Sequence, residues 1–216
     1  MRRQQVLRWI IMTAGLFIMT FGVALSTKAD LGTSPISCIP YVLSLALPLT
    51  IGGWIFLMNL LFVIIQYLLL RSDFSVYKWL EILVIFVFSL FTDINMFFVS
   101  FIPISGYLMQ WIFCILSFTA IAFGLAMVLK ANILMMAVDS LVLVISGIFR
   151  IEFGKVKMMT DSSMVILAAI LSFALMGDLF GVREGTIAAA LSIGFLVRNI
   201  RKLPGFRDKP ADKKSI

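Results

Sequence analysis

Three acidic residues interrupt long apolar runs in this chain. They are Asp93 in Phe91-Thr92-Asp93-Ile94-Asn95, Asp139 in Val138-Asp139-Ser140, and Asp161 in Thr160-Asp161-Ser162. A carboxylate in hydrocarbon is costly, so it turns towards a partner or a hydrated cavity and marks a candidate site. Lys157 stands four residues before Asp161, which sets both on one helix face. Two chemistries follow. In one, Asp139 or Asp161 relays a proton or meets a cationic or hydrogen-bonding solute. In the other, Lys157 neutralises Asp161, and Asp139 holds nearby backbone through hydrogen bonds. Asp93 lies near the end of its run and has the further reading of a solvated carboxylate.

Other chemistry is poorly provided for. The chain has no histidine, the commonest proton shuttle and metal ligand near neutral pH. Cys38 and Cys114 lie in separate apolar runs, read as buried thiols without metal-type spacing. No phosphate-binding Gly-Lys-Ser/Thr motif is present. Metal and cofactor are therefore not expected. Paired aspartates (Asp139 and Asp161) are the one enzymatic arrangement on offer, and the chain is expected not to be an enzyme.

A second group of residues has a mechanical reading. In Leu31-Gly32-Thr33-Ser34-Pro35, Gly32 allows a positive φ, Thr33 or Ser34 can cap the next helix, and Pro35 suits its first turn. Gly32 and Pro35 are thus expected to form a structural turn. Ser34 lies at a helix N-terminus whose partial positive charge could meet an anionic group.

These residues are ordered by an internal repeat. Sliding the chain by 102 positions lays Phe21-Gly22-Val23-Ala24-Leu25 on Phe123-Gly124-Leu125-Ala126-Met127, and Lys28-Ala29-Asp30 on Lys130-Ala131-Asn132. The same shift lays Ser37 on Asp139, Gly52 on Gly154 and Asn59 on Asp161. Matched Gly, Lys and Asp/Asn at one offset are not a product of apolar composition. Ser37, Asn59, Asp139 and Asp161 are therefore expected to gather about a pseudo-twofold axis where two halves meet, near the membrane midplane. The halves are read as 1–104 and 105–202, followed by a tail at 203–216.

The elements that carry them are membrane helices. The 216 residues are 62% hydrophobic and 13% charged, with mean hydropathy +1.09; soluble domains average about 25% charged. Six stretches reach the roughly 20 apolar residues a crossing needs: 6–26, 51–70, 79–100, 107–129, 156–177 and 183–200. Two shorter ones, 32–48 and 133–149, each follow a polar break. Drawn as re-entrant helices, with both termini cytoplasmic, they leave sixteen of the 18 Lys and Arg residues on the cytoplasmic side and only Lys28 and Arg183 outside. The expected fold is all-α: six transmembrane helices plus two re-entrant half-helices, in a 3+3 inverted repeat. The net charge of +7 is read as cytoplasmic anchoring in the bilayer rather than nucleic-acid binding.

The segment Lys28-Ala29-Asp30-Leu31-Gly32-Thr33-Ser34-Pro35, followed by Leu49-Thr50-Ile51-Gly52, resembles the YczE/YyaS/YitT family of bacterial membrane proteins. A degenerate second copy runs through Asp139-Ser140-Leu141, Phe153-Gly154-Lys155 and Gly181-Val182-Arg183-Glu184-Gly185-Thr186. Where that family often has Trp-Asp after Ser-Pro, this chain has Ile36-Ser37. The resemblance implies a bacterial inner-membrane location and a transporter-like role. The leading expectation is a small secondary transporter or exporter of a polar or amphiphilic solute, as a monomer or homodimer. The alternative is a non-transporting membrane subunit, whose cytoplasmic tail, Arg198 to Ile216, would dock a partner.

Overall fold

The computed structural model describes residues 2–71, 76–203 and 206. Most of the 203–216 tail lies outside the described residues. Among those described there are eight α-helices and no strand: α1 (Arg2–Ala29), α2 (Pro35–Ala46), α3 (Ile51–Leu70), α4 (Leu80–Ser100), α5 (Tyr107–Ala131), α6 (Ala137–Phe149), α7 (Phe153–Met176) and α8 (Glu184–Ile200). A short 3-10 turn, Val76–Trp79, leads into α4.

Five helices are long and apolar enough to cross a membrane: α1, α3, α4, α5 and α7. Large apolar side chains ring the bundle in the open, Leu108 at 77% exposure and Leu191 at 74% among them. Such a surface suits lipid and would aggregate in water, so this is a helical membrane protein. The helix expected over 183–200 forms as α8, but its 17 residues leave it shorter than the five. The helices α2 and α6 have 12 and 13 residues. At 1.5 Å per residue they rise only about 18–20 Å, against about 30 Å of hydrocarbon.

The chain breaks where local chemistry requires it. Asp30 (φ 55°) and Asn132 (φ 47°) end α1 and α5 in the left-handed region, which short polar side chains tolerate best after glycine. These two are matched by the 102-residue shift. Gly32 has φ 103°, as its expected role demands, and Pro35 opens α2. Ser34 precedes α2 in extended conformation, but its side chain caps no backbone N–H. The expectation of a Ser34 side-chain cap is corrected: Pro35 removes one donor, and the Ser34 hydroxyl instead meets that of Ser37 at 3.0 Å. Pro40 sits inside α2.

The spine is the antiparallel crossing of α1 and α5. A Cβ on Gly124 would fall 2.6 Å from Gly15 O and 2.6 Å from Met19 N; one on Gly22 would fall 2.8 Å from Ser117 O and 2.8 Å from Ile121 N. Small residues let backbones meet where lipid gives helices little hydrophobic reason to associate. The two contacts interchange under the same shift: Gly22 becomes Gly124, Gly15 becomes Ser117 and Met19 becomes Ile121. Around the spine α4 packs on α1 and α8 on α5; α2 packs on α7 and α6 on α3; and each short helix also packs on the helix that follows it. The symmetry is incomplete, because α3 packs extensively on α4 while α7 and α8 make no comparable pair.

Candidate functional site

Lys157 lies between two carboxylates. Its Nζ is 2.9 Å from Asp139 Oδ1 and 3.0 Å from Asp161 Oδ1. The i,i+4 spacing on α7 accounts for the second contact. The first arises because α6 folds back on α7 and brings Asp139, in the first turn of α6, level with it. An acidic residue there is also favoured by the helix dipole. The three side chains are each about a quarter exposed (25%, 21% and 27%), while Lys157 Nζ and Asp161 Oδ1 themselves are buried. Two carboxylates and one ammonium carry a net charge of −1. A small cation, or a solute bearing one, would complete the balance.

The other expected members are placed elsewhere. Asn59 is 3% exposed and donates from Nδ2 to Ile55 O at 2.8 Å. Its Oδ1 is buried with no hydrogen-bond partner. Ser37 pairs with Ser34. The expected four-residue gathering is therefore corrected: of Ser37, Asn59, Asp139 and Asp161, the shared ion pairs join only the two aspartates. Ser37 and the Asn59 amide nitrogen are engaged by hydrogen bonds to residues three and four positions away along the chain.

Asp93 has a structural task. It accepts from Gly52 N at 2.9 Å and from Thr50 Oγ1 at 2.8 Å, while Thr50 Oγ1 accepts from Gly53 N at 3.0 Å. The first amides of α3 are thus satisfied by a threonine and a carboxylate from α4. Gly32 and the 181–186 segment form a second joint. Thr33 N donates to Gly181 O at 3.1 Å, Gly185 N to Leu31 O at 2.8 Å, and Arg183 Nη1 to Asp30 O at 2.8 Å. A Cβ on Gly32 would run into Thr186 Oγ1 and lie 2.9 Å from Arg183 N. Both cysteines are free and buried.

A polar cluster that sequence reading missed joins α3, α4 and α6. Glu81 is 4% exposed and Gln66 is fully buried. Ser140 Oγ lies 2.9 Å from Glu81 Oε1 and 3.0 Å from Gln66 Oε1. Gln66 Nε2 donates to Ala137 O at 3.1 Å and to Glu81 Oε2 at 3.4 Å. Lys78 Nζ donates to Gln66 Oε1 at 3.0 Å. Burial pushes the Lys78 ammonium below the usual lysine range, and the nearby Glu81 charge opposes that shift. The available signal was Gln66, a polar residue in the otherwise apolar end of α3. Glu81, three residues after Lys78, had the look of a solvated helix start.

A bundle of this kind defines a polytopic helical membrane protein with charged groups between its helices. The chain belongs to a family of unknown function (DUF6198), whose model matches residues 6–202. No curated protein and no solved structure matches.

Proposed function

We propose that this chain is a small secondary transporter whose solute or coupling ion engages Asp139, Lys157 and Asp161. The observation that carries this reading is the Asp–Lys–Asp cluster itself. It sits between a short helix and a spanning helix, is a quarter open, and bears one excess negative charge. An extra charge held among apolar helices is costly and marks a candidate functional site. An uncompensated carboxylate fits a site that is filled in turn by a proton, a small cation or a cationic solute.

The packing pattern supports an inverted repeat behind this site. The mutual exchange of the Gly22 and Gly124 contacts, the paired left-handed residues Asp30 and Asn132, and the matched helix pairs all agree with two related halves, 1–104 and 105–202. In our reading α2 and α6 are re-entrant, α8 is a sixth crossing, and both termini face the cytoplasm of a bacterial cell. The α3–α4 pairing has no comparable α7–α8 counterpart, so the two halves differ in packing. The YczE/YyaS/YitT-like motif at 28–35 belongs with the same proposal.

The test is flux into proteoliposomes against a panel of cationic, zwitterionic and neutral metabolites. Asp139→Asn and Asp161→Asn are each expected to lower flux at least tenfold and to change its pH dependence, while protein yield and monodispersity are kept. Unchanged flux and pH dependence in both variants would remove the cluster from the transport site.

A further inference from the structure

Glu81 is the one buried carboxylate among the described residues, and the transport reading makes no use of it. It borders a small, partly open cavity of about 10 Å³, lined also by Asn59, Val84, Phe88, Met136 and the half-exposed Met135. That is room for a single water molecule. Asn59, whose Oδ1 is buried without a hydrogen-bond partner, is one of the lining residues. A buried amide oxygen left without a donor is destabilising, so a proton donor beside Asn59 would be favoured.

We propose that Glu81, Ser140, Gln66 and Asn59 form a buried proton-binding site, in which Glu81 takes up a proton through one water in the cavity. The hydroxyl of Ser140 has one hydrogen and two acceptors in reach, Glu81 Oε1 at 2.9 Å and Gln66 Oε1 at 3.0 Å. With Glu81 ionised, Ser140 donates to Glu81. With Glu81 protonated on Oε1, the carboxyl donates to Ser140, whose own hydrogen turns to Gln66. Both protonation states are hydrogen-bonded with no heavy atom displaced. Glu81 and Asn59 both line the cavity, so a water held there would connect the carboxyl group to the Asn59 side chain. In the uptake step an O–H bond of hydronium breaks, one forms on Glu81, and neutral water is left.

The geometry favours a proton over a sodium ion. Sodium requires several oxygens at once, and Gln66 Oε1 is already occupied by Lys78 and Ser140. Few oxygens besides the carboxylate and Asn59 remain, in a space fit for one water. Of the ionisable groups on neighbouring elements, Lys78 faces the cluster from the 3-10 turn through Gln66. On α6, Asp139 is turned to Lys157. On α1, Arg8 is exposed. The α3 contributors, Gln66 and Asn59, do not ionise.

Infrared difference spectroscopy of the purified full chain, titrated by pH, tests this without reference to any solute. A protonated-carboxyl stretching band is expected to rise and fall with pH in the parent protein. The band should be lost in Glu81→Gln, and its frequency should shift in Ser140→Ala and in Asn59→Leu. A titrating band that survives unchanged in folded Glu81→Gln, or the absence of any titrating band in the parent, overturns the proposal. So does loss of the parent's band on adding sodium at constant pH, which would make this a cation site. Should Glu81→Gln fail to fold, Ser140→Ala decides: an unshifted band overturns the assignment. Because flux is not read, this result stands apart from success or failure of the transport reading.

Discussion

At the scale of single residues, the chain places its charges where an opposite charge or a backbone end can hold them. Lys157 is the central case. Two carboxylates lie within 3.0 Å of its ammonium; replaced by an apolar residue, they would face each other without a cation. Deleting one partner of a fully buried pair costs about 3–5 kcal/mol. The cluster's quarter exposure lets water take up part of that, so Lys157→Met is expected to destabilise by roughly 1–3 kcal/mol. The measurement is the unfolding midpoint in a detergent-denaturant titration. Adding Asp139→Asn to Lys157→Met should recover part of the loss, because it removes the like-charge repulsion. The Lys157–Asp161 pair was legible from a four-residue spacing. The Asp139–Lys157 contact was not, because it depends on α6 turning back against α7.

At the scale of elements, the spine is a glycine seam. Gly22 and Gly124 leave no space for a side chain, whereas a Cβ on Gly147, Gly154 or Gly194 would meet nothing within 4 Å. Gly124→Leu is expected to force α1 and α5 apart and cost several kcal/mol, on the scale of other overpacked contacts. Gly147→Ala, inside α6 and unobstructed, should instead be neutral or stabilise by about 0.4–1 kcal/mol through the unfolded chain. The pair is checked by comparing thermal aggregation temperatures of the purified variants. The lengths of the elements were plain in the sequence: the stretch 51–70 coincides with Ile51–Leu70, and 107–129 differs from Tyr107–Ala131 by two residues at one end. Hydropathy reports length directly. The seam was harder to see. The one GxxxG spacing, Gly181 to Gly185, lies in the α8 joint, while the glycines that set the crossing stand alone in their helices.

At the scale of the whole molecule, the two halves of our reading share a packing plan but not every contact. In our reading the loops at 70–78 and 150–157 lie on the same, cytoplasmic side. Cysteines introduced at Leu70 and at Arg150 should therefore label in intact cells only with membrane-permeant reagents, while one at Gly106 should label with impermeant ones. Labelling of the first two by impermeant reagent would overturn the inverted arrangement. The incomplete symmetry around α7 and α8 shows why the repeat could not predict the site. A shift in sequence maps backbone onto backbone, but Asn59 and Asp161 carry different chemistry and have found different partners.

The membrane class of this protein could be read from its residues alone, and the helix bounds to within about four residues. Crossing a bilayer demands continuous apolar length, and breaking a helix demands glycine, proline or a short polar residue, all of which are local properties. Which polar groups meet depends instead on how the helices pack. Glu81, Gln66 and Ser140 come together from three helices, at separations of 15, 59 and 74 residues. Nothing in their spacing encodes that meeting, since it follows from how α6 lies across α3 and α4.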